Sequence, residues 1–193
     1  MRKLLFSVAL IAYAGVSAQT FGVKGGVNIS NVSNLYESQA SPKSKTGFNV
    51  GFFMNKSISQ NLNVQPELIF NSKGLKYKYG TDELNYISLP IMFQYKFLDN
   101  LYIEGGPEFS LLLSAKDKFN GNDNYEAENI DYTDELKKLD VGLGVGLGYD
   151  INQNFGANVR YVAGLTDIWK ETTEGDVAKN SVFQIGVYYK FSK

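Results

Sequence analysis

Hydrophobic residues recur at every second position along most of this chain. Between residues 139 and 151, Leu139, Val141, Leu143, Val145, Leu147, Tyr149 and Ile151 fall on one face. Asp140, Gly142, Gly144, Gly146, Gly148 and Asp150 fall on the other. Near the end, Phe183, Ile185, Val187, Tyr189 and Phe191 alternate with Gln184, Gly186, Tyr188 and Lys190. Successive side chains of a strand point to opposite faces, so this period predicts strands with one apolar and one small or polar face. Eight segments carry it: residues 21–30, 46–58, 62–74, 85–97, 101–114, 139–151, 155–166 and 181–192.

The connections alternate too. Tight turns centre on Gln60, Asp99 and Gln153, while residues 31–45, 75–84, 115–138 and 167–180 read as long polar connections. This is the layout of an up-and-down meander with both termini at the tight-turn end. Each turn sets a register: Ile58 opposite Leu62, Phe97 opposite Leu101, and Ile151 opposite Phe155. A slip of one residue would set apolar against polar, so the three hairpins agree on one apolar face. The same register places Gly146 opposite Arg160.

Two closed architectures accept eight such strands. In a soluble lipocalin-like barrel the apolar face points inward around a ligand. In a membrane barrel it faces lipid, and the polar face fills the lumen. Here the second face collects Lys24, Glu67, Lys73, Lys96, Glu104, Glu108, Asp140, Arg160 and Lys190, together with the glycine run. Small residues beside scattered charges suit a narrow interior. Strands of this length also suit a tilted span. Phe21, Tyr95, Phe97, Tyr149, Phe155, Tyr189 and Phe191 cluster toward the tight turns, and Phe48, Phe70, Tyr161 and Trp169 toward the long loops, as two interfacial girdles would. The expected fold is all-β: an eight-stranded antiparallel up-and-down transmembrane β-barrel, with the soluble ligand-binding barrel as the alternative. Pro66, Pro90 and Pro107 lie inside expected strands, where proline cannot donate a ladder bond, so a bulge or break is expected at each.

The start of the chain reads differently. Arg2 and Lys3 precede an apolar run over residues 4–14, and Val16, Ser17 and Ala18 fit a small-residue cleavage site. Residues 1–18 are therefore expected to be a cleaved signal peptide, and residues 19–193 the barrel domain. No later apolar stretch is long enough for a spanning helix.

Composition then removes most chemistry. The 193 residues contain neither histidine nor cysteine, which excludes Ser-His-Asp triads, thiolate nucleophiles, disulfides and histidine-based zinc sites. Nineteen basic residues against 20 acidic ones give no basic excess for nucleic acid. The run Gly142, Gly144, Gly146, Gly148 brushes against a dinucleotide fingerprint, but apolar alternation continues through it where a helix should begin. Glu104 and Glu108 lie four residues apart, roughly 13 Å along a strand at about 3.3 Å per residue, far for a glycosidase pair. No enzyme activity, cofactor or metal is expected. The connection 115–138 is rich in Asp, Asn and Glu but lacks the fixed spacing of a calcium loop. It reads as a solvated acidic loop.

An eight-strand barrel has an interior just wide enough for side chains, and charge there is costly unless paired. Lys24 and Arg160 are expected to neutralise Glu67, Glu104 and Glu108 in a polar lumen network.

Four motifs follow one another along the chain: Phe21-Gly-Val-Lys-Gly-Gly-Val-Asn-Ile-Ser-Asn31, Val64-Gln-Pro-Glu-Leu68, Tyr86-Ile-Ser-Leu-Pro-Ile91 and Gly106-Pro-Glu-Phe-Ser-Leu-Leu-Leu-Ser-Ala-Lys116. In this order they resemble the PorT-like outer-membrane β-barrel family of Bacteroidota. The end of the chain resembles the signal read by the barrel assembly machinery, with Gln184, Gly186, Tyr189 and Phe191 at the matching positions, although Ser192 and Lys193 follow the last aromatic. The resemblance implies a bacterial outer-membrane location and lipid and the assembly machinery as partners. It identifies no surface or periplasmic protein partner. The expected role is that of a structural or surface-interaction protein with a plugged lumen; the alternatives are a narrow channel, which the glycine run alone favours, and an accessory of type IX-like secretion, which the resemblance alone implies.

Overall fold

The computed structural model describes residues 19–33, 43–77, 80–119, 128–170 and 177–191. Nine strands and one short 3-10 helix follow in order: β1 (Gln19–Val32), β2 (Lys43–Ser57), β3 (Leu62–Tyr77), β4 (Gly80–Lys96), β5 (Leu101–Phe119), β6 (Glu128–Asp131), the 3-10 helix Thr133–Glu135, β7 (Leu139–Asp150), β8 (Phe155–Gly164) and β9 (Asn180–Lys190). The sheet order is β4-β3-β2-β1-β9-β8-β7-β5, and β4 pairs with β5 to close the ring. Eight antiparallel strands therefore make a closed barrel. The ninth, β6, lies outside the ring against the far end of β5.

Register follows from the turns. Ile58, Phe97 and Asn152 donate backbone hydrogen bonds to Leu62, Leu101 and Phe155 at 2.7, 3.3 and 3.1 Å, and Gly146 pairs with Arg160. The expected connection 75–84 is different: β3 and β4 run on as one long hairpin, with only residues 78 and 79 between them. The alternation of Leu75, Tyr77, Leu84 and Tyr86 with polar residues continues the strand period through what composition had marked as loop.

The apolar face points outward. Phe52, Val187, Phe21 and Val145 are 65, 63, 54 and 54% exposed, whereas Arg160, Glu108 and Glu67 are 1, 1 and 2% exposed. A soluble barrel would reverse this, so the lipocalin-like alternative is corrected by the orientation of the faces. Among the described residues no helix is long and apolar enough to cross a membrane; the strands make the span. Phe21, Tyr95, Phe97, Tyr149, Phe155 and Phe191 stand exposed at the turn end, and Phe48 and Tyr161 toward the loops. Trp169 does not join that second girdle. It is partly buried and packs on the barrel's internal apolar cluster.

The prolines interrupt the ladder without changing its register. Pro66 pairs with Ile91, Pro90 with Glu108 and Pro107 with Leu143, each on the following strand. On the preceding strand the ladder skips each proline and resumes in the same register. A missing N–H removes a bond on one side only, which matches the gap on one side of each proline. The true register shifts lie elsewhere, between Ser44 and Asn49 and between Asn85 and Tyr86.

Glycines set the interior. Phe53 pairs with Gly22, Tyr102 with Gly148 and Tyr188 with Gly156. A Cβ at those glycines would lie 2.2, 2.1 and 2.1 Å from the facing ring. Each ring thus lies flat over the strand beside it, which a side chain there would prevent.

Candidate functional site

The inward residues of each strand can be followed from the turn end to the loop end. Lys96, Asp150 and Lys190 line an open, polar cavity of about 640 Å³ at the turn end. Lys96 and Lys190 both pair with Asp150. Next come Phe53, Tyr102 and Tyr188, buried together over their glycines. Tyr188 also donates to Asp150.

Above the aromatic layer sits the charge cluster. Arg160 on β8 donates through Nη1 and Nη2 to Glu67 on β3, both at 2.8 Å, and through Nε to Glu104 on β5 at 2.7 Å. Lys24 on β1 donates to Glu67 at 3.2 Å. Gln65 and Gln94 donate to Glu67 and Glu104 at 2.8 and 3.1 Å. Two cations thus meet two carboxylates, and neutral amides satisfy further lone pairs. That balance makes such burial tolerable, since an uncompensated charge here would cost several kcal/mol, about 3–5. Gly144 and Gly146 leave the room: a Cβ at Gly146 would lie 3.1 Å from Glu104 Oε1 and 3.2 Å from Arg160 Cα.

Glu108 belongs to a second pair. Its partner is Lys73 at 2.9 Å, not Lys24 or Arg160. Glu108 lies four positions beyond Glu104 along β5, and the Arg160 fork is already filled by Glu67 and Glu104. Lys73 shares the inward face of β3 with Glu67 but lies further toward the loops. A belt of amides and hydroxyls runs beside this pair. Asn49 donates to Asn28 at 2.7 Å, Asn71 to Ser88 at 2.9 Å and Gln184 to Asn71 at 3.2 Å; Ser88 and Ser110 lie 2.7 Å apart.

The loop end is closed by an apolar cluster. Val32, Leu75, Leu84, Tyr86, Leu112 and Ala115 from the strands meet Leu136, Ile168 and Ala178 from the connections. Leu136, Leu75 and Ala178 have no exposed surface. The acidic connection 115–138 therefore departs from a solvated loop over its described part: it forms β6, the 3-10 helix, and a buried anchor at Leu136. Asp123, Asn124 and Glu126 lie outside the described residues. Tyr132 stacks on Trp169 with centroids 6.1 Å apart, and Leu136 bridges Trp169. Tyr132 also donates to Asp82 at 3.0 Å. Outward apolar positions on β4 end at Ile87, with Asn85, Glu83 and Thr81 beyond, so Asp82 stands clear of the membrane band. Burial pushes its carboxyl up to about 6; the Tyr132 bond opposes this and the facing Asp117 adds to it.

Of the end-of-chain residues, Gln184 and Gly186 face inward, while Tyr189 and Phe191 sit at the outer turn end. Tyr189 lies 4.8 Å from Phe155 and 5.7 Å from Phe191, centroid to centroid. Among the described residues no group of three or more histidine, cysteine, aspartate or glutamate side chains is placed to hold a metal ion. Period-two reasoning identified the charged face. It missed the cap, whose only sequence signal is Leu136, Ile168 and Ala178 standing among polar residues.

Residues 17–170 match the family described as outer membrane protein beta-barrel domain. No curated protein matches the chain. Among solved structures, Neisserial surface protein A (NspA) is similar, at 14% identity and a TM-score of 0.58, covering 91% of this chain and all of that one. Ail, the attachment invasion locus protein of Yersinia pestis, is similar at 16% identity and a TM-score of 0.51, with the same coverage. At these identities the likeness is one of fold.

Proposed function

The chain belongs to the outer membrane protein beta-barrel domain family, and from that footing we propose that it is a closed, non-enzymatic barrel whose role is structural or interactive at the cell surface. One observation carries this reading: the Arg160–Glu67 contact spans the ring, between strands four apart in either direction. The charge cluster, the aromatic layer and the apolar cap fill the lumen in series. A channel would need a wet path past all three, and the glycines that could have opened one are covered, Gly148 by the Tyr102 ring, Gly144 by Met92 and Gly142 by Val162, while Gly146 lies against Glu104 and Arg160. What remains for function is the pair of exposed ends. At the loop end, β3, β4 and β5 extend past the apolar band and carry β6, with Ile130 exposed.

Finer features belong to the same reading. Residues 1–18 are removed as a signal peptide. Outer-membrane lipid covers the apolar band. Gln184, Gly186, Tyr189 and Phe191 form the segment read by the assembly machinery. The resemblance to PorT-like barrels supports placing the chain nearer that subgroup, with secretion accessory as the second reading.

The test is expression of the full precursor in a bacterial host with an outer membrane. Recovery in that membrane, faster gel mobility before boiling than after, and protease access to the loop end in intact cells support the proposal. Recovery in the soluble periplasm overturns it. Loss of surface-protein export on deletion moves the reading to the secretion accessory.

A further inference from the structure

Glu108 Oε2 and Asn180 Oδ1 are buried oxygen atoms without a hydrogen-bond partner among the described residues. The two residues are 1 and 3% exposed. Both line one small cavity, with Lys73, Ser110 and Asp140 also in its wall. Its volume, about 10 Å³, leaves room for the centre of one water molecule to move. Leaving two buried acceptors unpaired would cost each the full penalty of its desolvation.

The chemistry of the wall selects the occupant. Both unpartnered atoms are acceptors, so the occupant must offer two donors or a positive charge. An anion offers neither. A metal cation would satisfy both oxygens but would sit against the Lys73 ammonium, which also lines the wall. Lys73 gives one hydrogen to Glu108 Oε1 at 2.9 Å and has further N–H groups to give. Asp140 already accepts from Thr166 and from Asn180 Nδ2, both at 2.8 Å.

We propose that a single internal water molecule occupies this cavity, donating to Glu108 Oε2 and Asn180 Oδ1 and accepting from Lys73. Three hydrogen bonds is the usual number for a buried water. The water joins two sets that otherwise end facing each other: the Lys73–Glu108 pair below, and Asn180, Asp140 and Thr166 above. Asn180 also donates to Tyr86, a member of the apolar cap, at 3.2 Å. The charged layer and the cap thus become one connected plug. The inference rests on this cavity and is independent of any surface partner.

A high-resolution crystal structure of the mature chain, grown once in sodium and once in rubidium buffer, tests it. The expected result is one peak in both, about 2.6–3.2 Å from Glu108 Oε2 and Asn180 Oδ1, without anomalous signal. A rubidium signal or a dry cavity overturns the proposal. In detergent micelles, Gly142 and Gly164, whose backbones line the cavity, should show slow water-to-amide cross-relaxation. Val182→Ile adds a methylene to the same wall and should abolish it. Its absence in the unmodified chain, or its survival in the variant, contradicts the water.

Discussion

Arg160 and Glu67 lie on strands four apart whichever way the ring is counted, yet their side chains meet in two contacts of 2.8 Å. An interaction across the ring ties together walls that no backbone ladder joins. Arg160→Met should therefore leave Glu67 and Glu104 sharing Lys24 alone. Breaking a buried pair in this way costs about 3–5 kcal/mol. Urea unfolding from lipid vesicles should show that loss. Arg160→Met with Glu67→Gln and Glu104→Gln should recover a large part of it. Equal loss in the single and triple variants would argue that packing, not charge compensation, holds the layer.

Tyr188 and Gly156 make the second test. A Cβ at Gly156 would lie 2.1 Å from the Tyr188 ring, so Gly156→Ala must displace the ring. Overpacking of this kind costs about 1–3 kcal/mol. Removing the ring should relieve the clash, so Gly156→Ala should be harmless in a Tyr188→Ala background. Additive effects in a double-mutant cycle would contradict the fit.

Asp82 gives the loop end a pH dependence. An exposed aspartate holds its proton only below about pH 4. In the closed cap the same carboxyl holds it up to about 6. The closed cap binds more protons than an open one between those values, so its stability falls as pH rises through that window. Trp169 is the single tryptophan and stacks on Tyr132, the donor to Asp82. Its fluorescence should titrate with a midpoint near pH 6. Asp82→Asn should flatten the curve. An unchanged titration in that variant would remove Asp82 from the explanation.

Leu136 separates the cap from the barrel. It has no exposed surface, and its neighbours Ile168 and Ala178 come from another connection. Leu136→Ala should cost about 2–5 kcal/mol within the cap. Hydrogen exchange should quicken at Lys137, whose N–H donates to Ile168, and at Ile168, whose N–H donates to Ala178, while β7, β8 and β9 keep their protection. Faster exchange throughout the ring would mean that cap and barrel unfold together.

The strands and their faces were legible because side-chain alternation and three short turns fix both face and register. Gly146 opposite Arg160 follows from counting about Gln153 alone. Height in the barrel was not legible in the same way. Glu108 and Lys73 meet because the strands are staggered, and period two says nothing about stagger between strands distant in sequence. The cap was hidden for another reason. Leu136 stands alone between Glu135 and Lys137, Ile168 has only Trp169 beside it, and their burial depends on a barrel rim that only closure creates. Trp169 read as a girdle residue because its height was right; the turn that carries it inward has no periodic signature.

Single-channel recording of the purified mature chain in planar bilayers tests the closed lumen most directly. The expected result is a silent membrane with the unmodified protein, at protein amounts where a porin control conducts. Stable, reproducible conductance steps from the unmodified chain would contradict a lumen sealed by Arg160, Glu67 and the apolar cap.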